Sequence, residues 1–327
     1  RLAEVRLALA LPEPAHAALA LAESLMKKAG HDGSLARIEL LRGEVFLLQG
    51  EIEDALRAFM TGVETLRVNN DGGHLALGLV RLGRILYERD EQAKGLELLD
   101  EAVVEADKTR DPRPAGAARL ARAKAYADQN QINAAFPLLQ QAAALFQRAG
   151  MPVQIVEVAA ADLQRRHGDP AAAEGRLQLV ADAFKEANAA VQWADASLIQ
   201  GQCLLDQEKY TEAARLFEEV RQVRVRARDR FSLVETYEHL AEALLGQGNP
   251  SGALIALAQG RCFAERLGQM GRMGRLDGAM ASLVAALDAD STIDAAQAKV
   301  QAEAEVEAME AMWKAPPQPR ETSNEMH

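Results

Sequence analysis

The chain has 327 residues and a formal net charge of -11, with 37 Lys and Arg against 48 Asp and Glu, which argues against a general nucleic-acid surface. Hydrophobic residues make up 49% of it but aromatics only 4%; the excess is Ala and Leu, as in helices packed closely around small residues. There is no run of about eighteen uncharged apolar residues, so no membrane span is expected, and the two isolated cysteines, Cys203 and Cys262, offer neither a zinc knuckle nor a disulfide framework. Reduced thiols and a cytoplasmic location follow as expectations. The chain opens on Arg1 without an initiator Met or a leader pattern, so a processed product or a piece of something longer is expected.

Along the chain, one pattern repeats. An alanine or glycine recurs at Ala15, Ala55, Gly95, Ala135, Ala173, Ala213 and Ala253, at spacings of 40, 40, 40, 38, 40 and 40 residues. Four residues later stand Leu19, Phe59, Leu99, Leu139, Leu177, Phe217 and Leu257, and three further on Ala22, Gly62, Ala102, Ala142, Val180, Val220 and Gly260. These steps keep one face of a helix apolar. Twelve residues before the marker lie Gly43, Gly83, Ala123, Ala161, Gly201 and Ala241, small enough for a preceding helix to approach. Between the two helices fall Gly50, Asp90, Asn130, Gly168, Glu208 and Gly248, mostly residues that end helices.

This constellation, clearest in Leu40 to Phe59, resembles tetratricopeptide repeats over roughly residues 1 to 268. The period of about forty exceeds that family's usual length and is similar to the long variants in maltose-regulator-type activators and kinesin light chains. The resemblance implies an all-α, right-handed solenoid of about seven to eight antiparallel hairpins. Residues 1–290 are expected to form it, with repeats near 1–30, 33–70, 73–110, 113–149, 151–187, 189–228 and 229–268 and a degenerate repeat at 269–290. Repeat five departs most: it is two residues short, carries Gln164 where its neighbours have Phe46, Leu86, Tyr126, Leu204 or Leu244, and turns through Gly168-Asp169-Pro170 with Asp169 as N-cap. A change of curvature is expected there, and Pro137 should kink its helix or delay its start.

Beyond repeat seven, residues 291–314 predict a capping helix whose apolar face is Ile293, Ala296, Val300, Val306, Met309 and Trp313, backed by Glu303, Glu305, Glu307 and Glu310. The Pro-rich stretch 315–327 is expected to be a disordered tail or linker. The cap should cover the helix just before it.

In the resembled family the first helix of each hairpin lines the concave groove. By register this implies Arg37, Glu44, Arg84, Glu88, Lys124, Asp128, Asp162, Arg165, Asp195, Gln202, Asp206, Glu235, Glu238 and Glu242 as partner-binding residues. The C-terminal half of that set is acidic with few compensating bases, so a basic partner segment is expected there. A second candidate is the basic run Arg221, Arg224 and Arg228, with Arg226 and Arg230 beside it, able to meet an acidic partner or another copy of the chain. The family's carboxylate-clamping Lys, Arg and Asn set is absent, and Asn69, Asn70, Asn130, Asn133, Asn188 and Asn249 read as turn or helix-end residues, which disfavours a small peptide gripped by its backbone.

No nucleophile, base and orienter can be assembled, and no phosphate-cradling loop is present. Glu235, Glu238, His239 and Glu242 share one side of a helix and could in principle hold a divalent ion, but solvated charges are the commoner meaning of such a cluster. Neither catalysis, a cofactor nor a metal is expected. The chain therefore reads as a protein-interaction scaffold, or alternatively as the sensor arm of a larger bacterial signalling ATPase or transcription activator, with metal-dependent hydrolysis a remote third.

Overall fold

The computed structural model describes residues 12–29, 32–286 and 295–314. The described residues form α-helices joined by tight turns and contain no strand. In order they are α1 (Pro12–Ala29), α2 (Asp32–Gln49), α3 (Ile52–Val68), α4 (Gly72–Glu88), α5 (Gln92–Asp107), α6 (Pro112–Asp128), α7 (Ile132–Arg148), α8 (Gln154–Arg166), α9 (Pro170–Glu186), α10 (Ala190–Asp206), α11 (Tyr210–Ala227), α12 (Arg230–Gly246), α13 (Pro250–Arg266), α14 (Met270–Ala286) and α15 (Ala295–Lys314). Consecutive helices pack on one another throughout, as a solenoid of hairpins. The expected first helix of repeat one, the link at Gly30-His31, Ile293 and the tail from Ala315 lie outside the described residues.

A single turn chemistry sets the period. In eleven of the twelve turns from α2 to α14 a backbone N–H donates to the carbonyl five residues earlier: Glu51 to Phe46, Glu91 to Leu86, Gln131 to Tyr126, Asp169 to Gln164, Lys209 to Leu204 and Asn249 to Leu244 within hairpins, and five more between them. Such a bond closes the last helical turn around a left-handed residue. Gly50, Asp90, Asn130, Gly168, Glu208 and Gly248 all carry that positive φ, as do Asn70, Asn188 and Arg228 in the links. The large residues noted at Phe46, Leu86, Tyr126, Leu204 and Leu244 are thus the ones whose carbonyls the turns require. At Gln164 the side-chain amide additionally donates to Asp169 Oδ2 (3.3 Å), and Asp169 itself caps α9 by accepting the Ala172 N–H.

Helix separation is set by the small residues. Every marker from Ala15 to Ala253 is buried. A Cβ placed on Gly43 would sit 2.8 Å from the Phe59 ring, and one on Gly83 would meet the Gly95 carbonyl at 3.0 Å and Leu99 at 3.2 Å. Gly201 stands in the same relation to Phe217. The repeat-five irregularity is a first helix of 13 residues, α8, where the other first helices have 17 or 18. Pro137 does not delay α7, which begins five residues earlier at Ile132.

The C-terminal helix corrects two expectations. Its buried face is Ala298, Ala302, Val306 and Trp313 with Met309 partly covered, while Val300 is 69% exposed and Ala296 is exposed. Two alanines let α15 lie closer than Val300 could. It also packs chiefly on α13 and only lightly on α14, so it covers the second helix of repeat seven rather than the helix before it.

The solenoid meets itself after one superhelical turn. Arg230 Nη1 donates to the Leu48 carbonyl at 2.7 Å, and the Gly271 N–H donates to Asp90 Oδ2 at 2.7 Å. The two contacts join residues 182 and 181 positions apart, so the same offset recurs one repeat later. The edge carrying the turns of repeats two and three is seated on the links before repeats seven and eight.

Gly43→Leu should destabilise the fold by about 1–3 kcal/mol or more, because the new side chain must displace the Phe59 ring at the closest helix approach. A thermal melt reads this directly, and an unchanged melting temperature would contradict the assigned packing.

Candidate binding channel

The superhelical turn surrounds a partly open cavity of about 480 Å³. Its wall comes almost entirely from first helices, α4, α6, α8, α10, α12 and α14, since these alternate elements face the superhelix axis; from elsewhere it receives Asp90, Gln92, Leu99, Leu139 and Arg224. Apolar stretches such as Leu163, Leu198, Ile199 and Phe231 separate the charges. Six cationic side chains, Arg84, Lys124, Arg166, Arg224, Arg272 and Arg275, face six carboxylates, Glu88, Asp90, Asp128, Asp162, Asp195 and Glu235.

Of the fourteen groove residues expected by register, Arg84, Glu88, Lys124, Asp128, Asp162, Asp195 and Glu235 line this cavity. The others lie outside it. Arg37 is exposed on α2, and Glu44 pairs with Arg81 at 2.9 Å. Gln202 is buried rather than presented: its amide nitrogen lies 2.8 Å from His239 Nε2, and the imidazole stacks on Phe217.

The expectation of few compensating bases is wrong. Asp195 pairs with Arg224 at 3.4 Å, Asp206 with Arg165 at 2.9 Å and Glu238 with Arg272 at 3.0 Å. Glu235 and Glu242 flank His239 at 3.9 and 3.7 Å. Two of these bases could not be placed by register, because Arg224 reaches in from a second helix and Arg272 comes from the degenerate repeat.

The basic run at the α11–α12 junction is likewise mostly engaged within the protein, with Arg226 exposed. Arg224 is 3% exposed and donates to the Ser232 carbonyl, Arg230 is 4% exposed, and Arg221 is engaged by Glu218 at 2.6 Å. Arg228 occupies the left-handed turn position and is half-buried. Among the described residues no cluster of three or more His, Cys, Asp or Glu is arranged to hold a metal ion. Nor is any helix there long and apolar enough to cross a membrane. Cys203 and Cys262 are both free, and burial pushes the Cys203 thiol up to about 12.

Enclosure shapes the chemistry of the wall. Asp195 keeps 51% of its side-chain surface open, but the water it touches is cavity water and protein surrounds it; this burial raises its carboxyl above the usual range despite Arg224. Glu88 is raised for the same reason. Lys124 has no ion pair among the described residues, and its ammonium is lowered by burial and then by the like charge of Arg84. Glu235 runs the other way: burial raises it, but His239, Arg224, Arg272 and Arg166 together outweigh that and hold it low. Asp128 is pushed up to about 6 by burial, against the pull of Arg166 at 3.3 Å.

No protein-family model and no curated protein matches the sequence. Among solved structures, the Rap protein complexed with competence and sporulation factor is similar over 84% of this chain and 81% of that one, with a TM-score of 0.57 at 16% identity. The chain folds as a tetratricopeptide-like solenoid. Other solenoids resemble it more loosely: yeast Tom70 at 15% identity over 92% of this chain and 60% of that chain, TM-score 0.48, and a putative Podosopora anserina kinesin light chain with nearly identical TPR-like repeats, at 18% over 59% and 96%, TM-score 0.42. In this solenoid the wall charges are displayed inward, on a surface shared by five successive hairpins and the start of a sixth.

The raised Asp128 has a measurable consequence. A folded carboxyl that keeps its proton to higher pH than the unfolded one stabilises the fold at low pH, and that contribution is lost as pH rises from its ordinary 3.8 through about 6. Asp128→Asn should flatten this fall, so that the variant gains on the native chain above pH 6. Identical pH profiles of melting temperature for the two would contradict the assignment.

Proposed function

We propose that the chain is a protein-binding module whose cavity takes a polypeptide segment bearing both basic and acidic side chains. The observation that carries this is the balanced wall. Six cations and six carboxylates share a partly open space with apolar patches, and among the described residues Lys124 and Arg275 have no partner within ion-pair distance while Arg84 has only Glu88 at 3.8 Å. Acidic side chains would answer these cations, a basic one would answer Glu235, whose nearest base is His239 at 3.9 Å, and such a segment would bury apolar surface at once. A purely basic segment, the simpler expectation from the acidic register, suits the wall less well because Asp195 is already paired.

The similar Rap structure was determined with competence and sporulation factor bound. That supports a polypeptide ligand for this fold, without identifying one here. No catalytic constellation lines the cavity wall, whose ionisable groups are carboxylates, Tyr87, Lys124 and arginines. Binding without turnover is the activity this wall supports.

Selection from a displayed peptide library against the native chain, followed by titration of the selected sequences, tests the proposal. Selected peptides should carry both charge signs and should bind more weakly as salt rises. They should also lose affinity for Lys124→Glu and for Glu235→Lys, both assayed as folded proteins. Peptides that bind both variants undiminished would place the site outside the cavity.

A further inference from the structure

The charges of the cavity wall are equal in number but not equally answered. Asp195 has Arg224 at 3.4 Å, Asp162 and Asp128 share Arg166 at 2.8 and 3.3 Å, and Asp90 accepts the Gly271 N–H at 2.7 Å. The two carboxylates with the longest contacts are Glu235, with His239 at 3.9 Å, and Glu88, with Arg84 at 3.8 Å. Among the cations, Arg166 and Arg224 are engaged as above and Arg272 is held by Glu238 at 3.0 Å. Arg84 has only its long contact with Glu88, and Lys124 and Arg275 have no ion pair among the described residues. The demand left over on this wall is therefore mainly for negative charge.

Two of these cations stand together. Arg84 on α4 and Lys124 on α6 are one forty-residue period apart, so they hold the same register position on first helices that pack directly on each other. The charge that acts most strongly on the Lys124 ammonium is accordingly that of Arg84, ahead of Asp195, Asp128 and Glu235. Both side chains are exposed to the water of the cavity they line. Like charges side by side where water is restricted repel one another, and an incoming anion removes that cost. A carboxylate already reaches Arg84 from Glu88 without coming within hydrogen-bond distance, and its single charge would cancel one cation and leave the other. A phosphoryl group carries a charge of about -1.5 to -2 and three strong acceptor oxygens, enough for the guanidinium fork and the ammonium at once.

We propose that Arg84 and Lys124 form a subsite for a phosphoryl group inside the cavity. The inference rests on the cavity being the binding site and deepens that reading: the group is either a phosphorylated side chain of the bound segment or a free phosphate ion. Its oxygens accept from the Arg84 fork and from the Lys124 ammonium, which closes the two vacant interactions together. A basic side chain of the same segment remains free to meet Glu235.

Acylation of Lys124 by a small N-hydroxysuccinimidyl ester, read by mass spectrometry against the exposed Lys94, tests the subsite without any peptide. Inorganic phosphate should lower the Lys124-to-Lys94 ratio several-fold and saturably, whereas acetate at equal pH and ionic strength should leave it unchanged. Arg84→Gln removes only the 3.8 Å contact with Glu88, so the chain should stay folded and lose the protection. The source of the group is read by titrating a library-selected peptide with and without phosphoserine in place of one acidic residue. Several-fold tighter binding to the native chain, absent in Lys124→Gln, assigns the group to the segment; protection by phosphate without that gain assigns it to the free ion. A ratio unmoved by phosphate, or lowered equally by acetate, would overturn the subsite even if peptides still bind the cavity. Failure to select any cavity-binding peptide would count against the cavity reading and leave the phosphate result to decide the subsite.

Discussion

Two helices can approach only as closely as the atoms between them allow, and in this chain that limit is set at Gly43, Gly83 and Gly201. Each stands where a Cβ would press into Phe59, Leu99 or Phe217 of the partner helix. Buried alanines at Ala123, Ala161 and Ala241 hold the equivalent place in the other hairpins, so small residues keep the paired helices close along the chain and each hairpin adds a rotation to the next. A solenoid of uniform steps returns to its starting edge after a fixed number of residues. Here the return comes after about 180 residues, and it is marked twice, at Arg230 with Leu48 and at Gly271 with Asp90. A side chain inside one hairpin thus governs a contact between repeats five positions apart.

Closure changes what the inward charges can do. On an open groove, surface ion pairs contribute little and exposed charges keep their ordinary behaviour. Inside a closed turn the same carboxylates and cations are ringed by protein, so Asp128 and Asp195 shift up and Lys124 shifts down although each touches water. Like-charge neighbours such as Arg84 and Lys124 cannot relax outward. A ligand that brings compensating charges into this space relieves a cost already present in the empty protein, which is the physical basis for reading the cavity, rather than the convex face, as the binding surface.

The hairpin architecture was legible in the sequence because it is local. Ala55 to Phe59 to Gly62 lie on one helix, Gly50 ends the helix before it, and both signals survive without knowing the rest of the chain. Helix-end residues were equally readable, as Asn130, Gly168 and Glu208 all turned out left-handed. The electrostatics were not, since Asp195 and Glu238 find Arg224 and Arg272 across helices whose relative placement depends on the whole superhelix. For the last helix, hydropathy favoured Val300, whereas close packing on α13 selected Ala298 and Ala302. Nothing in the sequence at Arg230 or Leu48 distinguishes them from ordinary helix-end residues; only closure gives them a role.

The closed turn is the claim on which the cavity and its shifted groups depend. Spin labels at the exposed positions Glu51 and Arg226, in a chain with Cys203 and Cys262 replaced, would straddle the seam beside the Arg230 to Leu48 contact. Pulsed dipolar spectroscopy of the otherwise native protein should then give a short, narrow distance distribution. A long and broad one would show an open solenoid whose ends move independently, and would contradict the account.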